Sequence, residues 1–434
     1  MKKVKVFLTC LLVLSLLVQL FLPFTFAEDS TVVIYLDGTS GNDSSNGLSS
    51  ATAKKTLSAA VDALEGAGGV IVICGNTAVT SNFNVPAQSN KLVITGKWQN
   101  VDYGSTLTLG TSSNGRSLYF NSETEISHLT LQTLAGSSGI FTGPSLTISD
   151  GVTTNRNGKP LQGTNDISIR LGLYDDVCQN AVLNITSGTF SFIQGGNNRF
   201  DVGNSTINFG GTAKVITHLQ GGGTGKNVTN SVINITGGII NNLFIGGYGA
   251  NNLGTSQITI SGGTVNNMGD GRDVTSGQIN GPVSVTISDH GQVNSFKDIN
   301  KYNIMAGAVK NLTFSNIENG NIDACLSLWS TVKLTDNSTV NVNIPYTAPI
   351  NGLIVETGSH LILNSEAVGA PVPTYSGGGL VTINPDVAIK VIYVDGVTGS
   401  DKNDGLSPAT AKKTLSVAVN LLEGKGGVIV ICGD

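Results

Sequence analysis

Charged residues that could do chemistry gather in three places. Arg156, Lys159, Asp166, Arg170, Asp175 and Asp176 share one interval, and Asp270-Gly271-Arg272-Asp273 forms a second cluster. Asp37, Asp43 and Asn46-Gly47 form a third, which recurs as Asp395, Asp401 and Asp404-Gly405. Two carboxylates about 5–9 Å apart would serve hydrolysis of a glycosidic bond. Carboxylates on calcium, with a Lys or Arg as proton acceptor, would serve elimination. Arg170, Asp175, Asp176, Asp270, Arg272 and Asp273 are therefore weak catalytic candidates. Asp37, Asp43 and Asn46 are weak calcium candidates; calcium is the one cofactor these residues would suit, and none is required. Solvated turns account for the first two clusters more simply, and Asx-turns for the third.

Other reactive residues carry little signal. His128, His218, His290 and His360 are scattered, without HxH or HExxH spacing. Cys74, Cys178, Cys325 and Cys432 form no CxxC pair, so neither a zinc site nor a disulfide scaffold is indicated.

The elements that must position these groups show a period. Leu146-Thr-Ile148, Leu183-Asn-Ile185, Ile207-Asn-Phe209, Ile233-Asn-Ile235, Ile258-Thr-Ile260, Val285-Thr-Ile287 and Leu312-Thr-Phe314 each flank one polar residue with two large apolar ones. That alternation is a short strand, apolar pair inward and polar residue outward. The strands recur at roughly 25 residues, a repeat signature. The interval from Ile148 to Ile185 is longer and reads as a loop excursion. Glycine is 56 of 434 residues, aromatics are 6% and charged residues 12%. Gly- and Asn-rich intervals cannot supply the helices of an α/β fold. The pattern predicts an all-β parallel solenoid whose coils stack strand on strand. Its outward positions 147, 184, 208, 234, 259, 286 and 313 are Thr or Asn throughout, without acid or base. The looser pattern after Phe314 ends in a last strand over 380–383.

One segment occurs twice. Residues 33–75 and 391–433 align without a gap and share 31 of 43 positions. Within it, Leu57, Ala60, Val61 and Leu64 make one apolar stripe of a helix that Thr56 caps and Gly66 ends. Val70 to Cys74 follows as an apolar strand. A solenoid end must be covered, so the helix reads as a cap placed before the first coil. The second copy then opens a second solenoid at 391. Val428 to Cys432 would be its only strand, with nothing to pair with, so the sequence reads as part of a longer protein.

The residues Tyr35-Leu-Asp-Gly38, Gly41-Asn-Asp43, Asn46-Gly-Leu48, Ala51-Thr-Ala53, Lys55-Thr-Leu57 and Ala60-Val61 resemble the N-terminal signature of secreted right-handed parallel β-helix proteins of the pectate-lyase-like superfamily. The second copy, with Asn403-Asp-Gly-Leu-Ser-Pro408 and Lys413-Thr-Leu415, is closer still to that form. The resemblance covers about 43 residues. It implies the fold, secretion and a link to polysaccharide or the cell surface. It does not imply catalysis, because one fold hosts many functions.

Compartment and partners follow the same line. Lys2, Lys3 and Lys5, the apolar run from Phe7 to Leu22 and Thr25-Phe-Ala27 read as a secretory signal over 1–27. The expected divisions are 1–27 signal, 28–390 β-helix domain and 391–434 the start of a second. The net charge is −5 and becomes more negative once the three lysines leave, which argues against nucleic acid. No second stretch is apolar enough to span a membrane. The expected protein is secreted or surface-attached and non-catalytic: an adhesin, a glycan-contacting module or a spacer in a tandem array, with polysaccharide or cell-wall glycan as partner. A polysaccharide lyase or glycoside hydrolase is the alternative. A flat Thr ladder binding an ordered lattice is a third reading, weakened by the interrupting Asn residues.

Overall fold

The computed structural model describes residues 31–163, 166–271, 277–296, 309–318, 320–322, 326, 329–342, 350, 352–364, 372–384, 391–422 and 428–433. The expected signal segment, Cys325, Arg272 and Asp273 lie outside them.

The chain is nearly all β and winds into a parallel β-solenoid of about ten turns. Its first face begins with β1 (Val33–Asp37) and β2 (Gly69–Gly75) and continues through Leu92–Thr95, Thr124–Ser127, Ser145–Ile148 and the strands after them to Leu353–Val355. One column runs the length of that face in register: Ile34, Ile71, Ile94, Ile126, Ile148, Ile185, Phe209, Ile235, Ile260, Ile287, Phe314, Leu334 and Val355. None of these side chains is more than 3% exposed. Each contributes about 1.5–3 kcal/mol by leaving water, so the column is the spine of the core.

The outward neighbours form a polar ladder. Asn234 donates to Asn208 at 2.8 Å, Asn208 to Asn184 at 2.8 Å, and Asn184 to Thr147 at 3.3 Å. The ladder is longer than its Thr/Asn run, because Glu125 pairs with Thr147 and Lys333 with Thr313. An acid and a base therefore do stand at outward positions, one at each end.

The long interval between Ile148 and Ile185 is a complete coil, not a loop. Thr153–Arg156 pairs with Thr130–Thr133 on the second face, and Ile167–Leu171 pairs with Ser138–Thr142 on the third. Ile167, Ile169 and Leu171 alternate into the core, so Arg170 lies on a strand rather than in a loop.

The cap also differs from expectation. Helix α1 (Leu57–Asp62) has Thr56 accepting the Ala59 amide at 3.2 Å and buries Leu57, Ala60 and Val61. It follows β1, and β1 pairs along β2, so the helix is a crossover inside the first turn. The outer edge of β1 is blunted by the loop before the helix. Tyr35 donates to the Gly47 carbonyl at 2.7 Å, Lys54 to Tyr35 at 2.9 Å and Asp37 to Lys54 at 2.8 Å. Backbone bonds to a loop remove the open edge that a helix packed on a face would leave unpaired.

The second copy repeats this unit. Strand Val428–Gly433 is not alone, since it pairs in parallel with Val391–Asp395 in the same register and with the same bulge as the first copy.

Candidate functional site

The third face carries the densest grouping of recognition side chains. Its strands Ser117–Phe120, Ser138–Thr142 and Ile167–Leu171 are followed by 192–194, 218–220 and 243–244 in later coils. Leu118, Ile140, Ile169, Ile193, Leu219 and Leu243 point into the core. Strand alternation then sends Tyr119, Phe141, Arg170, Gln194, Gln220 and Phe244 outward in one register row. Phe192 and His218 are paired with each other on the same side.

The strip is built of stacked rings and guanidinium groups. Tyr119 and Phe141 stack with centroids 4.7 Å apart, and Tyr174 packs on Tyr119 at 4.2 Å. Arg170 is held between Phe141, at 5.2 Å, and Phe192, at 4.6 Å. Its Nε donates to Gln194 at 3.0 Å and its Nη1 to Ser168 at 3.3 Å. Arg199 lies 4.2 Å from the Tyr174 ring. Phe192 stacks on His218 with the ring planes nearly parallel and the centroids 5.2 Å apart. The rings largely cover one another; Arg199 is exposed, and Tyr174, Arg170 and Phe244 meet solvent in part.

Electrostatics set this strip apart. Among the described residues neither Arg170 nor Arg199 is paired with a carboxylate. Burial works against the Arg170 charge and lowers its pKa from the ordinary value. The aromatic faces stabilise both cations by cation–π attraction, about 0.5–2 kcal/mol each. An anion could still bond bidentately to the Arg199 guanidinium and, through Nη2, to that of Arg170. The corner after this face is kept tight by glycine: a Cβ on Gly195 would lie 2.1 Å from the Gly221 carbonyl, and one on Gly221 2.5 Å from that of Ile245. That closeness holds consecutive coils, and so consecutive rings, in stack.

The residues singled out from sequence are scattered over the molecule. Only Arg170 belongs to the strip. Asp175 and Asp176 follow it on an exposed corner, where Asp176 accepts its neighbour's amide at 2.7 Å. Asp270 is fully buried in a later coil. Asp166 is buried too, bonded to Arg156 at 2.7 Å and to the amides of Gln162 and Gly163.

The cap carboxylates act as turn acceptors. Asp37 takes the amides of Thr39 and Ser40 and the Ser40 hydroxyl. Asp43 reaches across the loop to the amides of Lys55 and Thr56, at 2.8 and 2.9 Å, and to the Thr56 hydroxyl. Asn46 accepts from Leu48 at 3.0 Å. Partial burial pushes the Asp37 and Asp43 carboxyls up, but these hydrogen bonds outweigh it and hold both below the ordinary Asp value. Among the described residues no three or more His, Cys, Asp and Glu side chains group as a metal site would need.

Two features escaped the sequence reading. The third-face strip follows a period that Ser117-Leu-Tyr-Phe, Gly139-Ile-Phe-Thr and Ser168-Ile-Arg-Leu display, an inward aliphatic followed by an outward ring or Arg. The other is Glu125 on the first face, which bonds Lys91 at 2.6 Å and Ser149 at 2.9 Å. Burial raises its pKa, and these partners reverse the shift and lower it. In comparison with known proteins, no family model, no curated protein and no solved structure matches the chain.

Proposed function

We propose that the chain is a secreted or cell-surface β-solenoid module that contacts an acidic polysaccharide through its third face without cleaving it. The observation that carries this reading is the pair of guanidinium groups, Arg170 and Arg199, set in aromatic rings and, among the described residues, without a carboxylate partner. Sugar rings present C–H faces to aromatic side chains, and uronate or similar acidic groups fit the fork geometry of arginine. A rigid row repeating from coil to coil suits an extended chain with a repeating unit. The signature segment adds its resemblance to secreted β-helix proteins.

The test is binding of residues 28–390 to acidic and neutral polysaccharides, with and without calcium. Binding of the acidic chain is expected, weakened about 10-fold or more in Arg170→Ala and in Arg199→Ala, as loss of a charge-assisted hydrogen bond predicts. Equal binding of neutral chains, or no effect of either substitution, would overturn the reading. A polysaccharide lyase is the second reading, favoured by the desolvated Arg170 as a proton acceptor and by Asp175 and Asp176 on the corner beyond it. Its signature is turnover that disappears in Arg170→Ala or in the Asp175→Ala/Asp176→Ala double variant.

A further inference from the structure

The third face does not end at Phe244. Along 239–244, Ile240 and Leu243 turn into the core and leave Asn241, Asn242 and Phe244 outside. Asn242 stands beside Asn267 in the next coil, as Phe244 stands beside Gly269. The same corner recurs as Asn266-Asn267 and again at Asn294, after the inward Val265 and Val293. An amide ladder joins these coils. Asn294 donates to Asn266 at 3.1 Å, Asn266 to Asn241 at 3.4 Å and Asn267 to Asn242 at 3.3 Å. Asn241 in turn donates to the Ile216 carbonyl at 3.2 Å.

Two properties of this row point to a ligand. An amide carries two N–H donors and two acceptor lone pairs. Asn241 and Asn266 each spend one of each on the ladder, so among the described residues one of each is left for a hydroxyl. The second property is charge. Residues 202–269 contain Lys214 and Lys226 and no Asp or Glu. Lys226 occupies the corner that Arg199 occupies one coil earlier. There the Thr224 amide donates to the Asn197 carbonyl at 3.2 Å and the Asn227 amide to Asp201 at 2.9 Å. Arg199 and Lys226 are both exposed. The next acid along the chain, Asp270, is fully buried. A cationic surface free of acids raises the local concentration of a polyanion. Tyr119, Phe141, Gln194 and Gln220 are at most 7% exposed, so they back the row rather than touch what binds it.

We propose that an unbranched polyuronate lies along the solenoid axis on this face, crossing the strands with about one sugar unit per coil. From Arg170 to Asn294 the row crosses the strands at 167–171, 189–194, 214–220, 239–244, 264–269 and 292–294. Coils lie about 4.8 Å apart, so the row is about 24 Å long. One spacing is close to the advance of one pyranose unit in an extended 1,4-linked chain. Arg170, Arg199 and Lys226 hold carboxylates toward one end, and Asn241, Asn266 and Asn294 hold hydroxyls toward the other. A chain laid along one strand would meet no more than one coil's share of these groups. This inference rests on the acidic-polysaccharide reading and adds the direction, length and class of the chain.

The test measures binding of alginate and polygalacturonate fragments, sorted from dimer to decamer, to the chain and its variants. Affinity is expected to rise by about 3-fold per added unit, the worth of roughly one net hydrogen bond, and to level off near the hexamer. Asn266→Ala should weaken the hexamer about 10-fold and leave the dimer unchanged. Lys226→Ala, an exposed change that disturbs no ladder, should weaken the trimer and longer fragments and spare the dimer. Arg199→Ala should weaken every length. Affinity that depends on Arg199 but not on length overturns the axial row and leaves the reading beneath it standing. Equal losses for dimer and hexamer in Lys226→Ala do the same. Binding of neither polymer at any length overturns the inference, and the reading itself fails only if the acidic polysaccharides of its own test go unbound as well.

Discussion

Residues 33–75 and 391–433 are nearly one sequence in two surroundings. Their local structures agree down to the bulge after Leu36 and Val394 and the lysine reaching back to an aspartate carbonyl, Lys54 to Asp43 and Lys412 to Asp401, both at 2.9 Å. Their burial does not agree, as Ile73 and Ile431 show. Local hydrogen bonding, written into turn and cap residues, builds the unit. Whether its apolar stripe becomes core depends on which chain lies next to it.

The contrast can be broken most forcefully at those isoleucines. Ile73→Asp puts an uncompensated charge into the core and is expected to cost about 4 kcal/mol or more. Ile431→Asp is expected to stay within about 0.5 kcal/mol, as exposed substitutions do. Denaturant unfolding of the two variants reads the difference, and equal losses would mean that the second unit is covered after all. Leu57→Ala and Leu415→Ala repeat the comparison at smaller size. The first should cost about 2–4 kcal/mol by loss of burial and cavity formation, and the second a few tenths, by the same measurement.

Two further measurements sharpen what the copies share. Thr56 and Thr414 cap their helices through the same bond, at 3.2 and 3.4 Å. Replacement by Ala should cost about 1 kcal/mol of local stability in each, read by exchange of the first helical amides. A loss confined to one copy would separate them. The smallest effect is that of pH. Asp43 and Asp401 are both held below the ordinary value of 3.8, Asp43 by amide and hydroxyl bonds acting against burial and Asp401 chiefly by the Thr414 amide. A carboxyl whose folded pKa is depressed adds stability above its unfolded pKa and loses it as pH falls through the folded one. Both cap loops should therefore loosen together below about pH 4 and be unaffected between pH 5 and 7. Exchange of the Lys55 and Lys413 amides reports this, and a change near pH 6 would show that other groups govern the loops.

Much of the fold was legible because a solenoid is periodic. Apolar pairs two apart, returning every 25 residues or so, predicted the first-face column that the structure shows from Leu146 to Phe314. The strands Thr153–Arg156 and Ile167–Leu171 inside the long interval were missed because they lie on the other faces, where the counted first-face motif does not recur. The candidate site was hardly legible. Arg170 was noticed as one charge among several, while nothing in the spacing singled out Tyr119, Phe141 or Phe192. Sequence spacing cannot show that side chains 22 to 29 residues apart stand in one row.

The sequence by itself determined the strand alternation, the Asx-turns at Asp37 and Asn46, and the helix that Thr56 caps. All of these are satisfied by neighbours along the chain or by side-chain period. Tertiary structure decided which alternate residues meet across coils, and so that Arg170 lies between Phe141 and Phe192. It decided too that Val61 is core and Val419 is surface. Burial belongs to a pair of segments, and no segment carries its partner within its own residues.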